Sequence, residues 1–330
     1  MQKSFSKAMN KTLPKLLRRS LFVLGLAGAL LHAEDSLAQK KKKKGAETPA
    51  AAAPARPQNN GPANGPKPYK EVITAKAKSK DGLFKVHQIE DKYFYEIPDS
   101  LFGRDMLMVV RIAKTANGIG YGGENTNNLM VRWEKNGDDI LLKVVTVNNY
   151  AADSLPISMA VKASNLEPIL QKFDVKSRAT DSTGTVIEAT DLFTKDNQAL
   201  GLQRNRRTQY RVTRLDNERS YIVHVNTYPI NIEGRYVLTY AASEPPSNSA
   251  TGLITLEMNA SMILLPKVPM QQRLADRRVG WFARSYVDYG ADAQKATSRR
   301  YLDRWRLEVK PEDMEKFKRG ELVEPVKQIV

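Results

Sequence analysis

The sequence predicts a mainly β protein, an antiparallel β-sandwich or open barrel with a small N-terminal subdomain and few short helices. Three observations point there. From about Tyr69 onward, apolar and polar residues alternate with the period of two that a half-buried strand requires. The pair Asn136-Gly137, flanked by "NLMVRWEK" and "DDILLKVVTV", is the clearest hairpin signal, because both residues tolerate positive φ. No self-similar repeat of roughly 20 to 50 residues is visible, which disfavours a propeller or solenoid.

Taken in order, "LFKVHQI" and "KYFYEIP" open the strand series, and "DMLMVVRIA" follows with Met106, Met108, Val110 and Ile112 on one face. Beyond the hairpin at Asn136-Gly137, a second turn at Ser182 to Gly184 separates "FDVKSRA" from "TVIEATDLF". "SYIVHVNTYPI", "GRYVLTYAA" and "LITLEMNASMILL" are further strands. In the last, Ile254, Leu256, Met258, Ala260, Met262 and Leu264 alternate without a break. Helical signals are few. Pro311 followed by "EDMEKFKRG" has proline at the first turn, acids early, bases late and a closing glycine, and a turn or two fits Leu192 to Leu200.

The first residues read as a signal peptide over 1–38: Lys3, Lys7, Lys11, Lys15, Arg18 and Arg19 precede the apolar run "SLFVLGLAGALL", with a small-residue cleavage site after Ala33 or, preferably, Ala38. A transmembrane anchor is the competing reading, but the run falls short of the ~20 residues a span needs. Export is therefore expected, to the periplasm or the medium. Residues 39–68, a lysine run followed by Ala, Pro, Gly and Asn, hold almost nothing that could be buried and read as a disordered tether. The formal charge of +16 divides into +4 in the leader, +6 in the tether and +6 in the remainder. The basicity is thus mostly appended, and no nucleic-acid partner is expected. Cysteine is absent, which excludes a disulfide framework and a lipidated cysteine.

Catalytic constellations are missing. Only His87 and His224 follow the leader, so no His/Cys zinc cluster and no His-Glu-x-x-His helix can form, and no cofactor is expected in this chain. "GIGYGG" matches G-x-G-x-x-G through Gly118, Gly120 and Gly123 but is followed by "ENTNN" rather than a helix, so a long flexible hairpin loop is the reading. There is no G-x-S-x-G. Asp138-Asp139 beside the hairpin, and Asp216, Glu218 and Arg219 in "RLDNERSY", read as solvated turn charges.

The series "YEIPDSLFGRDML", "RLDNERSY", "YPINIEGRYVLTY", "LPKVPMQQRLADRRVGWF" and "YLDRWRLEVK" resembles the non-catalytic region, two adjoining domains of unknown function, that precedes the catalytic domain of large exported bacterial zinc-dependent metalloproteases of metzincin-like type. The resemblance spans about Tyr69 to Val330. It implies a scaffold or substrate-side platform for a C-terminal metalloprotease domain, acting on a peptide or protein substrate. Zinc is expected only in that absent domain, and the chain alone is expected to be inactive. The chain looks like the front portion of such a protease, and its last residues, "EPVKQIV", read as the start of a truncated linker. The alternative is a stand-alone secreted β-sandwich that binds a surface glycan or polyanion.

The stretch "ADRRVGWFARSYVDYG", Ala275 to Gly290, follows an extended connection containing Pro266 and Pro269. Read as one strand, it puts Val279, Trp281, Ala283 and Val287 on one face and Phe282, Arg284 and Tyr286 on the other. Apolar groups on both faces imply two partners, the protein's own core and a docked domain. Arg278, Trp281, Phe282, Tyr286 and Tyr289 are the candidate docking residues, with one of Trp281 and Phe282 expected in the core. The expected organisation is a subdomain over 69–113, a main β domain over 114–310, and a short helix and linker over 311–330.

Overall fold

The computed structural model describes residues 65–291, 295–304 and 308–324. The expected signal peptide, the expected tether up to residue 64 and the final segment 325–330 lie outside the described residues. The chain begins with a short helix, α1 (Tyr69–Val72), and four strands, β1 (Lys78–Lys80), β2 (Lys85–Ile89), β3 (Lys92–Pro98) and β4 (Asp105–Lys114). There follow β5 (Asn125–Asn136), β6 (Asp139–Val144), β7 (Asn149–Tyr150), α2 (Ile157–Ser164), β8 (Ile169–Arg178) and β9 (Gly184–Glu188). Two helices, α3 (Thr190–Thr194) and α4 (Arg204–Gln209), precede the long strands β10 (Val212–Thr227), β11 (Asn231–Ala242) and β12 (Leu253–Leu264). The described chain closes with β13 (Ala283–Asp288), β14 (Thr297–Leu302) and α5 (Met314–Lys318).

Eleven strands form one antiparallel sheet in the order β1-β2-β3-β9-β8-β6-β5-β4-β12-β11-β10, nearly closed into a barrel. The expected open barrel is thus the form adopted. Residues 69–113 supply α1 and β1 to β4. Those strands share the sheet with later ones: β3 pairs with β9, and β4 lies between β5 and β12. Alternation works as anticipated in β4 and β12, where Met106, Met108, Val110, Ile112, Ile254, Leu256, Met258, Ala260 and Met262 are buried. Side chains of one parity fill the barrel.

Two details of register differ from the sequence reading. Asn136 pairs with Asp139, so the two-residue loop is Gly137-Asp138, with Gly137 at φ +60° in the first central position, where a type II′ turn demands positive φ. The strand expected from Ser220 begins at Val212 instead, interrupted between Asp216 and Tyr221 by a bulge. There the Ser220 hydroxyl accepts from the Thr239 amide (3.1 Å) and the Thr239 hydroxyl donates to the Arg219 carbonyl (3.1 Å), replacing ladder bonds.

The core is aromatic. Phe84 meets Tyr95 at 5.6 Å and Trp133 at 6.0 Å between ring centroids, and Trp133 meets Phe173 at 5.3 Å. Residues 189–210 plug the barrel with Leu192, Phe193, Leu200 and Leu202. The Tyr236 hydroxyl donates to the Leu200 carbonyl (2.6 Å), and the Tyr240 hydroxyl accepts from the Leu202 amide (3.1 Å). Phe193 lies so close to Gly234 that a Cβ there would sit 2.5 Å from its ring, which explains the glycine in the middle of β11. On the outer face, α1 and the chain after it cover Phe94 and Val186 with Ile73, Val72 and Tyr69. No helix of the described residues is long and apolar enough to cross a membrane.

Candidate docking surface

Strand β13 does not belong to the barrel. It pairs antiparallel with β14 and parallel with β7, making a separate three-stranded sheet. A single bridge, Leu274 to Tyr301, and bonds from the Ala275 amide to the Arg300 carbonyl (2.8 Å) and the Leu302 amide to the Arg273 carbonyl (2.9 Å) lay residues 273–275 along its outer edge.

The expected strand over Ala275 to Gly290 is therefore corrected at its N-terminal half. Asp276 turns the chain: its carboxylate accepts from the Arg278 amide and Nε (2.9 Å each) and from Nη2 (2.7 Å), and its carbonyl accepts from the Val279 amide (3.0 Å). These bonds hold the Asp276 carboxyl below its usual range, with the Arg278 side chain as the largest cause. The strand itself starts only at Ala283. Consequently neither Trp281 nor Phe282 enters the core: they are 54% and 79% exposed and touch each other edge to face, centroids 6.2 Å apart. The expectation that one of them would be core fails because the Asp276 turn, not a strand, sets their directions.

A groove of about 720 Å³ runs beside this pair, lined by Arg277, Val279, Trp281, Phe282, Ser298 and Arg300. Arg277 and Arg300 are exposed and have no carboxylate partner among the described residues, whereas Arg278, Arg284 and Arg299 are paired with Asp276, Asp303 and Asp288. The surface thus joins an exposed apolar pair to unspent positive charge. Tyr286 and Tyr289 sit elsewhere on the same sheet. Tyr286 stacks between Tyr150 (5.8 Å) and Tyr301 (5.9 Å), and the Tyr289 amide donates to the Tyr150 carbonyl (2.9 Å). Of the five sequence-derived docking residues, Trp281 and Phe282 are brought together, Arg278 is held by Asp276, Tyr286 contacts Tyr150 and Tyr301, and Tyr289 joins the sheet through its backbone amide. Arg277 and Arg300 were missed. Arg300 carried a signal in the alternation of "TSRRYL", but only strand pairing places it across from Ser285.

The other candidate groups resolve simply. His87, 1% exposed, places Nδ1 2.7 Å from the Ser79 hydroxyl and Nε2 3.2 Å from Glu96, whose carboxylate also accepts from the Tyr69 hydroxyl (2.8 Å). Serine, histidine and carboxylate stand in relay order, but the imidazole is buried beneath Tyr69, so the array clasps the N-terminal segment to β2 and β3. Burial, followed by the nearby Arg235 and Lys80 charges, pushes the half-buried His224 imidazole down. The "GIGYGG" loop joins the paired strands β4 and β5, and the buried Ile119 and a Tyr210 hydroxyl bond to the Gly118 carbonyl (3.0 Å) anchor it. The reading of that loop as flexible is replaced by a packed one. Asp139 pairs with Lys172, and Asp216 with Arg219. Among the described residues, no three His, Asp or Glu side chains converge as a metal site.

A family model described as "Domain of unknown function (DUF5117)" matches residues 123–310, and one described as "Domain of unknown function (DUF5118)" matches residues 66–115. No curated protein and no solved structure matches the chain.

Proposed function

We propose, from the premise that the chain belongs to the family of domains of unknown function DUF5117, that it is the non-catalytic N-terminal platform of an exported zinc-dependent metalloprotease. In this reading the three-stranded sheet docks the catalytic domain, which carries the zinc and cleaves a peptide or protein substrate. The motif series from "YEIPDSLFGRDML" to "YLDRWRLEVK" supports the metalloprotease assignment by resemblance. The observation that carries a docking role is the Trp281–Phe282 pair, exposed beside Arg277 and Arg300, which have no carboxylate partner among the described residues. Aromatic residues and arginine are the groups that most often anchor protein interfaces. A monomer gains nothing from displaying them together in water.

The test is direct binding, by sedimentation or surface immobilisation, of the full chain to the separately expressed catalytic part of a zinc metalloprotease that carries the same two segments upstream. Micromolar or tighter binding that Trp281→Ala and Phe282→Ala weaken is the expected result. The second reading, a secreted module for an anionic glycan, rests on the same unpaired arginines. Saturable binding of a sulfated polysaccharide, with none of the catalytic part, replaces the first reading by the second.

A further inference from the structure

The barrel fails to close along one seam. Among the described residues, β10 ends the sheet with no strand on its outer edge, and β1, at the other end, is only three residues long. The two ends are pinned where the Leu83 amide donates to the Tyr228 carbonyl (2.7 Å), the Thr227 hydroxyl to the Phe84 carbonyl (2.9 Å) and Lys80 to the Asn226 side chain (2.7 Å). Beside the middle of β10 a groove of about 580 Å³ opens. Tyr221, Ile222 and Val223 of β10 line one side, and Asp91 and Tyr93 of the β2–β3 hairpin and Thr194 of α3 also line it.

An open edge strand is a template for another strand, and proteins usually guard such edges with lysine, proline or bulges; bulges flank Tyr221 and Ile222 here, so the template is the short step of β10 between them. Here the edge carries Tyr221 and Val223, 57% and 43% exposed, both strong strand formers. The charge in the groove is also defined. Lys195 is held by Asp191 at 2.6 Å, which leaves Asp91 as a lining carboxylate without an ion-pair partner among the described residues.

We propose that this seam binds an extended basic peptide, which adds to β10 as a strand. Its main chain bonds to β10 at the step Tyr221–Ile222, its apolar side chains lie against Tyr221 and Val223, and a lysine or arginine faces Asp91. The proposal rests on the platform reading in one respect: it names the substrate class as unfolded, basic polypeptide. Peptide binding is measured on this chain alone, so it stands or falls separately from docking of a catalytic domain.

The probe is a dye-labelled octapeptide of alternating valine and lysine, titrated into the full chain and read by fluorescence anisotropy. Saturable binding is expected. N-methylation of every second residue, tried in both registers, should weaken it at least tenfold in one register and little in the other, because only one edge of the peptide meets β10. Asp91→Asn and Tyr221→Ser should each weaken binding several-fold without moving the melting temperature. Absence of saturable binding, equal affinity for both N-methylated registers, or unchanged affinity in Asp91→Asn at an unchanged melting temperature overturns the proposal. Competition by a neutral oligosaccharide that leaves the N-methylation pattern flat overturns it in favour of a sugar site.

Discussion

The Ser79 hydroxyl lies 2.7 Å from Nδ1 of His87, directly opposite it in the β1–β2 ladder. This contact ties the edge strand to a network that continues through Glu96 to Tyr69 on α1. Bonds from His87, the largest cause, and from Tyr69 hold the Glu96 carboxyl below its usual range against the opposing effect of burial. A carboxylate depressed in the folded state contributes stability above its unfolded pKa and loses it as pH falls through the folded value. Glu96→Gln should therefore cost about 1–3 kcal/mol at neutral pH and flatten the acid fall in melting temperature. Thermal unfolding across a pH series checks this, and an acid limb that superimposes on the parent's would refute it.

Asp99 offers a second acid-sensitive group with a simpler partner. Arg178 donates Nη2 to Oδ2 (2.7 Å) and Nη1 to Oδ1 (3.1 Å), and with added help from Lys135 holds the carboxyl at about 2. The stability it adds is complete above the ordinary aspartate range and disappears as pH falls toward about 2. Solvent screening at this 35% exposed side chain keeps the contribution to about 1 kcal/mol or less. In Arg178→Met the carboxyl should titrate higher than in the parent, with Lys135 still beside it at 3.0 Å, which a carbon-detected NMR titration reads directly.

The two family segments should not fold apart. β4, from the first, fills the slot between β5 and β12 of the second, and β3 pairs with β9. Residues 123–330 expressed without 65–122 should be insoluble or lack dispersed amide resonances, and co-expression of both pieces should restore a soluble complex. Two independently folded pieces would contradict the shared sheet.

Trp281→Ala and Phe282→Ala should both spare folding. Each side chain is more than half exposed, so stability should change by no more than about 0.5 kcal/mol. If the pair anchors a partner, each truncation should cost roughly 2 kcal/mol of docking, about thirtyfold in affinity. By contrast, Gly234→Ala must displace the Phe193 ring and should destabilise the fold by about 1–3 kcal/mol. Chemical denaturation of the three variants separates surface from core, and unfolding of either aromatic variant would return the segment to the core.

Legibility in the sequence followed the range of the forces involved. β4 and β12 could be read because alternation records which side faces an apolar interior, and that is a local property. The helices α2 and α4 could not: neither has a side-chain hydrogen bond at its N-cap, and their ends are set by packing. The outward turn of Trp281 escaped because the Asp276–Arg278 bonds break an apparently continuous strand pattern. The His87 clasp and the seam beside β10 escaped for a different reason, since both depend on which strands become neighbours. Residues 79, 87 and 96 meet only after β1, β2 and β3 have paired.

The position of β4 also imposes a timetable. One of its neighbours, β5, follows within a dozen residues, but the other, β12, is more than a hundred residues further along the chain. At a synthesis rate of ~5–20 residues per second, the far edge of β4, carrying Met106, Met108 and Val110, waits on the order of ten seconds for its mate. During that interval the nascent chain presents an unsatisfied hydrophobic strand, so its fate is decided by what else can reach that edge first.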